Sequence, residues 1–132
     1  MAGLDMKARI LVVDDNPDSL AIMRTILENH GYRVVAASSG ADGLAALRSV
    51  PVDLVLLDVM MPDMSGIDVL QQIKLNAATA RLPVILVTAK THDEDLLSGY
   101  EYGADYYIPK PFTAKQLLYG IDLVLGQGDG GG

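Results

Sequence analysis

Short apolar runs alternate with longer amphipathic stretches five times along this chain, and that alternation limits its fold more than any other feature. Each run is too short for a helix and nearly continuous, as expected of a strand buried on both faces. Ile10-Leu11-Val12-Val13 is the first. The next are residues 33–37, Asp53 to Leu57, Pro83 to Val87, and Asp105 to Ile108. Helical spacing follows each one. Leu20, Met23, Ile26 and Leu27 share a helix that starts at an Asn16 or Asp18 cap and closes at Asn29-His30-Gly31. Ser39 caps a second helix with Leu44 and Leu47, and Ile67, Leu70 and Ile73 mark a third. A fourth runs from about His92 to Tyr102, ended by Gly103. Thr113 caps a fifth, with Leu117, Leu118, Ile121, Val124 and Leu125. Strict alternation predicts an α/β fold: a five-stranded parallel sheet, doubly wound, with helices on both faces.

A length of 132 residues suits one domain, expected over residues 7–125. Residues 1–6 read as an N-terminal extension. Residues 126–132, rich in glycine, read as a flexible tail: a linker to an output domain, a natural terminus or an artificial addition. Ten basic against seventeen acidic side chains give a net charge of −7, which argues against direct nucleic-acid binding. Absence of cysteine excludes disulfides, thiolate metal sites and thiol nucleophiles. The N-terminus has neither the basic flank nor the apolar run of a signal peptide, and no apolar run is long enough to span a membrane. A cytoplasmic chain with no membrane association is the expectation.

In an open parallel sheet, function collects where the strands end. The first strand ends at Asp14 and Asp15, the third at Asp58, the fourth at Thr88, and Lys110 follows the fifth. Three carboxylates in one cleft repel each other unless one takes a proton or a cation binds. A hard divalent cation with oxygen ligands resolves the repulsion, and Mg²⁺ suits a few carboxylates with room for water. A carboxylate can also accept a phosphoryl group, with a metal and a lysine offsetting charge on its oxygens. Each residue alone has a plainer explanation as a turn, a cap or an exposed lysine. Their shared position at strand ends favours a common site.

The motifs Ile-Leu-Val-Val-Asp-Asp-Asn at 10–16, Asp-Leu-Val-Leu-Leu-Asp-Val-Met-Met-Pro at 53–62, Pro-Val-Ile-Leu-Val-Thr-Ala at 83–89 and Gly-Ala-Asp-Tyr-Tyr-Ile-Pro-Lys-Pro-Phe at 103–112 complete the pattern. Over roughly residues 7–125 the chain resembles response regulator receiver domains of two-component signalling, of the chemotaxis-regulator type. The resemblance implies a flavodoxin-like (βα)5 sheet with strand order 2-1-3-4-5. It implies Asp58 as phosphoacceptor, and Mg²⁺ held by Asp14, Asp15, Asp58 and the backbone carbonyl of Met60. Thr88, Ala89 and Lys110 would contact the phosphoryl group. Thr88 and Tyr107 would form the switch, and the Lys110–Pro111 peptide would be cis. The implied donor is a sensor histidine kinase or a phosphotransfer protein. The implied target is an output protein or output domain, reached through the face of the fourth helix, fifth strand and fifth helix.

On that resemblance the chain is a regulatory phosphoacceptor, not a substrate-turnover enzyme, and catalyses only its own phosphorylation and dephosphorylation. Five tyrosines (Tyr100, Tyr102, Tyr106, Tyr107, Tyr119) and Phe112 gather in the part of the chain that builds the signalling face. No Arg follows Arg81, so the symmetric dimer that DNA-binding members form with arginines of the fifth helix is not expected. Met60 and Lys90, two positions after Asp58 and Thr88, flank the site and are expected to tune phosphate lifetime. Two other readings share parts of this pattern. A flavin carrier would need donors where Asp14 and Asp15 stand. A haloacid-dehalogenase-type phosphatase would need a second Asp where Met60 stands. A P-loop hydrolase is excluded by the missing Gly-x-x-x-x-Gly-Lys motif.

Overall fold

The computed structural model describes residues 8–89 and 100–126. Five strands, β1 (Arg9–Val13), β2 (Arg33–Ala37), β3 (Leu54–Leu57), β4 (Val84–Thr88) and β5 (Tyr106–Pro109), form one parallel sheet in the order β2-β1-β3-β4-β5. Four described helices accompany them: α1 (Pro17–Asn29), α2 (Gly40–Ser49), α3 (Gly66–Leu75) and α4 (Ala114–Gly126). The last is the fifth of the expected helices. The expected helix at 92–102 lies mostly outside the described residues, which include Tyr100 and Glu101 of it, both helical. Lys90, the whole N-terminal extension (residues 1–6) and residues 127–132 of the C-terminal one also lie outside. Gly126, expected in the tail, instead ends α4.

The strands bury alternate residues on opposite faces, as their pleat requires. Ile10, Val12, Leu54, Leu56, Ile85, Val87 and Ile108 pack with Met23 and Leu27 of α1 and Leu117 and Ile121 of α4. Leu11, Val13, Val55, Leu57, Val84 and Leu86 pack with Val69, Leu70 and Ile73 of α3. Leu44 and Leu47 of α2 cover the same second face. Two core layers therefore sandwich the sheet, and every residue of β3 and β4 is buried.

Helix ends follow their local chemistry. Asn16, not Asp18, caps α1, its side chain accepting the N–H groups of Asp18 and Ser19. Gly31 at φ +89° lets the chain leave α1: its N–H reaches the Glu28 carbonyl and the Tyr32 N–H reaches that of Leu27. Ser39 and Ser65 cap α2 and α3. Thr113 and Gln116 bond reciprocally at the start of α4, each side chain accepting the other's backbone N–H at 3.0 and 2.8 Å.

Strand limits shift by one residue from expectation at several ends. β3 starts at Leu54; before it, the Asp53 N–H reaches the Arg9 carbonyl at 2.8 Å while the Asp53 carboxylate, not a backbone carbonyl, accepts the Arg9 N–H at 2.8 Å. β4 starts at Val84, since Pro83 has no N–H and Asp105 accepts that of Val84 at 2.9 Å. β4 runs on to Thr88, whose carbonyl accepts the Lys110 N–H at 3.0 Å.

Candidate functional site

The sheet ladder continues past the strand ends and fixes the residues found there. The Asp14 N–H reaches the Ala37 carbonyl at 3.1 Å, and the Asp58 N–H reaches that of Val13 at 3.0 Å. Asp14 and Asp58 therefore stand side by side on β1 and β3. Each carboxylate folds back on the amide two residues ahead. Asp14 Oδ1 accepts the Asn16 N–H at 2.9 Å, and Asp58 Oδ1 accepts the Met60 N–H at 3.1 Å.

One carboxylate oxygen from each of Asp14, Asp15 and Asp58 lies within 4.8 Å of the others. Asp14 and Asp58 are buried and Asp15 is exposed, so the cluster opens to solvent on one side. Lys110 projects into it from beyond β5. Its Nζ lies 2.7 Å from Asp14 Oδ2 and 3.5 Å from Asp58 Oδ2. One ammonium thus faces three carboxylates, leaving uncompensated negative charge. Oxygens on opposite sides of an octahedral Mg²⁺ stand about 4.2 Å apart and adjacent ones about 3 Å. The cluster's limit of 4.8 Å is a few tenths of an ångström beyond that range, so a small inward turn of the carboxylates closes it, and an all-oxygen donor set suits a hard cation.

Burial pushes the Asp58 carboxyl above its ordinary range. The Met60 N–H and the Lys110 charge pull it back, the charge of Asp14 raises it again, and a hydrogen bond from the Thr88 hydroxyl lowers it. Thr88 itself is fully buried at the end of β4. Tyr107 pairs with Leu86 on the neighbouring strand and packs in the same core layer, which places it diagonal to Thr88 on one face. Ala89 follows Thr88 and is exposed, as is the Met60 side chain. The Lys110–Pro111 peptide is cis.

The structure therefore brings together Asp14, Asp15, Asp58, Thr88 and Lys110, with Met60 joined to Asp58 through its amide. One contributor escapes a reading of the sequence. Asn16, legible only as a helix cap, also donates its N–H to Asp14. The Asp-x-Asn spacing was the available signal, because short polar side chains commonly bond the backbone two residues on.

Known proteins resemble this chain in sequence and in fold. The family model for the response regulator receiver domain matches residues 10–122. Protein PilH of Pseudomonas aeruginosa is 40% identical over 118 residues, covering 89% of this chain and 98% of PilH. The DNA-binding response regulator MtrA of Mycolicibacterium smegmatis is 41% identical over 113 residues, 86% of this chain but 48% of MtrA. A CheY-like response regulator receiver domain protein of Methanospirillum hungatei superposes with a TM-score of 0.88 at 33% identity, covering 96% of this chain and 99% of that one. By sequence, by fold and by the company its strand ends keep, the chain belongs to the response regulator receiver domain family of two-component systems.

Proposed function

We propose that the chain is a phosphorylation-dependent signalling switch that accepts a phosphoryl group on Asp58 from a phosphohistidine of a sensor histidine kinase or phosphotransfer protein. The observation that carries this reading is the convergence of three carboxylates within 4.8 Å on an ammonium 2.7 Å from one of them. Asp14, Asp15, Asp58 and the carbonyl of Met60 would hold Mg²⁺, which supplies positive charge to the phosphoryl oxygens when bound.

An oxygen of the Asp58 carboxylate attacks phosphorus, the N–P bond of phosphohistidine breaks, and the imidazole leaves with the bonding electron pair. The product is an acyl phosphate on Asp58. Its later hydrolysis restores the carboxylate and releases phosphate. Lys110, already at 3.5 Å from Asp58, turns to the new anionic oxygens. Thr88 donates its hydroxyl to one of them, and Ala89 leaves room beside it. The new group adds roughly −1.5 to −2 charges at one strand end. Thr88 moves toward it, and Tyr107 takes the space on the same face. Packing along β5 and α4 then shifts between two arrangements, which is all a switch requires.

The surface that would report this change borders a groove of about 390 Å³ lined by Tyr106, Pro109, Lys115 and Tyr119, among others. Tyr100, Tyr102 and Tyr119 are exposed nearby in sequence or on α4. Aromatic residues are enriched in protein interfaces, which supports a protein as the target, whether a separate output protein or a further domain. A net charge of −7 disfavours direct nucleic-acid contact by this domain. No described helix is long and apolar enough to cross a membrane. We place the receiver domain at residues 7–125, acting in the cytoplasm and turning over no substrate but its own phosphate.

The test is phosphoryl uptake from a small acyl phosphate donor with Mg²⁺, followed by intact mass. The wild-type chain gains one phosphoryl group. Asp58→Asn gains none while keeping its fold. Equal uptake by both would rule out Asp58 as the acceptor.

A further inference from the structure

Asp63 has no part in the chemistry above, yet it ties the loop of the acidic cluster to a different element. It lies between β3 and α3, and its carboxylate grips the start of α2. Oδ1 accepts the Gly40 N–H at 3.1 Å and Oδ2 accepts the Ala41 N–H at 3.0 Å. These are the first two amides of α2, donors with no partner inside the helix, and the helix dipole favours an anion beside them. The Ala41 and Gly40 amides hold the Asp63 carboxyl below its ordinary range. A second anchor lies next to the first. Gly40 has no space for a Cβ because the Met64 side chain and Val69 fill it.

These contacts close a path around the cluster. Asp14 is bonded to the end of β2 at Ala37, Ser39 then begins α2, α2 holds Asp63, and the loop leads back to Met60 on Asp58. The three carboxylates owe their places to strand ends and the turns just after them. The Met60 N–H is held by such a turn, and the Met60 carbonyl belongs to the next peptide, beyond it. It sits on a loop closed at its base by the Gly66 N–H on the Val59 carbonyl at 2.8 Å and held at its far side by Asp63.

We propose that Asp63 is a positioning residue for the cation site: by clamping the loop to the N-terminus of α2, it sets where the Met60 carbonyl stands and hence how tightly the divalent ion binds. This rests on the phosphoacceptor reading and deepens it. A residue that only capped α2 would affect stability alone.

The experiment measures Mg²⁺ affinity by calorimetry on the full chain, with thermal unfolding in EDTA alongside. Ser39→Ala is the comparison. It removes another hydrogen bond from the start of α2, the Asp42 N–H to Ser39 Oγ at 3.0 Å, and leaves the loop tie intact. Ser39→Ala should lower Tm and bind Mg²⁺ like wild type. Asp63→Ala should lower Tm and weaken Mg²⁺ binding about tenfold, the low end of the cost of losing a residue that supports a ligand. Asp63→Asn keeps one accepting oxygen and turns an NH₂ on the other amide, so its affinity should fall between. Wild-type affinity in Asp63→Ala, or an equal loss in Ser39→Ala, overturns the proposal. Should Asp63→Ala fail to fold, a folded Asp63→Asn with wild-type affinity overturns it equally. A wild-type chain that binds no Mg²⁺ marks failure of the phosphoacceptor reading itself, and takes this inference with it.

Discussion

Asp14 has no solvent contact, and within the protein its charge is met by the Lys110 ammonium 2.7 Å away. Removing one member of such a pair strands the other, at a cost of about 3 kcal/mol. Lys110→Met should therefore destabilise the chain by about that much in EDTA. A bound divalent ion would take over the lost compensation, so the deficit should shrink when Mg²⁺ is added. Denaturant titrations with and without Mg²⁺ check this, and a deficit that ignores the ion would count against a shared cation site. Asp58 poses the opposite problem. Burial raises its carboxyl above the ordinary value of 3.8. Between that value and the raised one the folded chain binds a proton that the unfolded chain does not. The group thus favours folding at the acid end of that window and loses this contribution as pH rises through it. In EDTA at neutral pH, Asp58→Asn should melt above wild type, and the difference should disappear as the pH drops below the window.

Among the elements, α3 shows how closely the site is built onto its scaffold. A Cβ on Gly66, the first residue of α3, would meet the backbone carbonyl of Asp58 and the Cα of Val59. Neither is the free end of a side chain, so the loop itself would have to move. Gly66→Ala should cost about 1–3 kcal/mol, the range for overpacking a rigid position. It should also slow phosphoryl uptake, because the displaced atoms belong to the proposed acceptor, Asp58, and its neighbour. Uptake at the wild-type rate with reduced stability would separate the two effects. The strands and most caps were legible in the sequence because they depend on local patterns: unbroken apolar runs, helical spacing, and Asn16, Ser39, Thr113 and Gly31 at their proper offsets. Strand limits were less so, since Asp53 and Asp105 end up bonding Arg9 and Val84 across the sheet. Asp63 gave no signal, as its partners lie 23 and 22 residues away and meet it only once the loop is folded. Lys74 was equally hidden. It reads as an ordinary basic residue of a last helical turn, yet donates to the Leu82 carbonyl at 2.6 Å.

Across the whole molecule, the parallel sheet turns a linear series of strand ends into one acidic edge. The order β2-β1-β3-β4-β5 puts β1 and β3 side by side, so Asp14 and Asp58 meet, with β4 and β5 next in line to bring Thr88 and Lys110. That Asp14, Asp15, Asp58, Thr88 and Lys110 gather was legible because the ends of such strands share one edge; the roles proposed for Asp58, Thr88 and Tyr107 came from the family resemblance. The same order places Tyr107, on β5, at the edge of the sheet opposite β2, and α4 packs against β5. Binding of Mg²⁺ and beryllofluoride to the crystallised chain tests the central claim most directly. The account predicts beryllium bonded to an Asp58 carboxylate oxygen, Mg²⁺ among Asp14, Asp15, Asp58 and the Met60 carbonyl, and Lys110 drawn from Asp14 toward fluoride. Beryllofluoride bound to another residue, or a Mg²⁺ ion that does not touch Asp58, would contradict it.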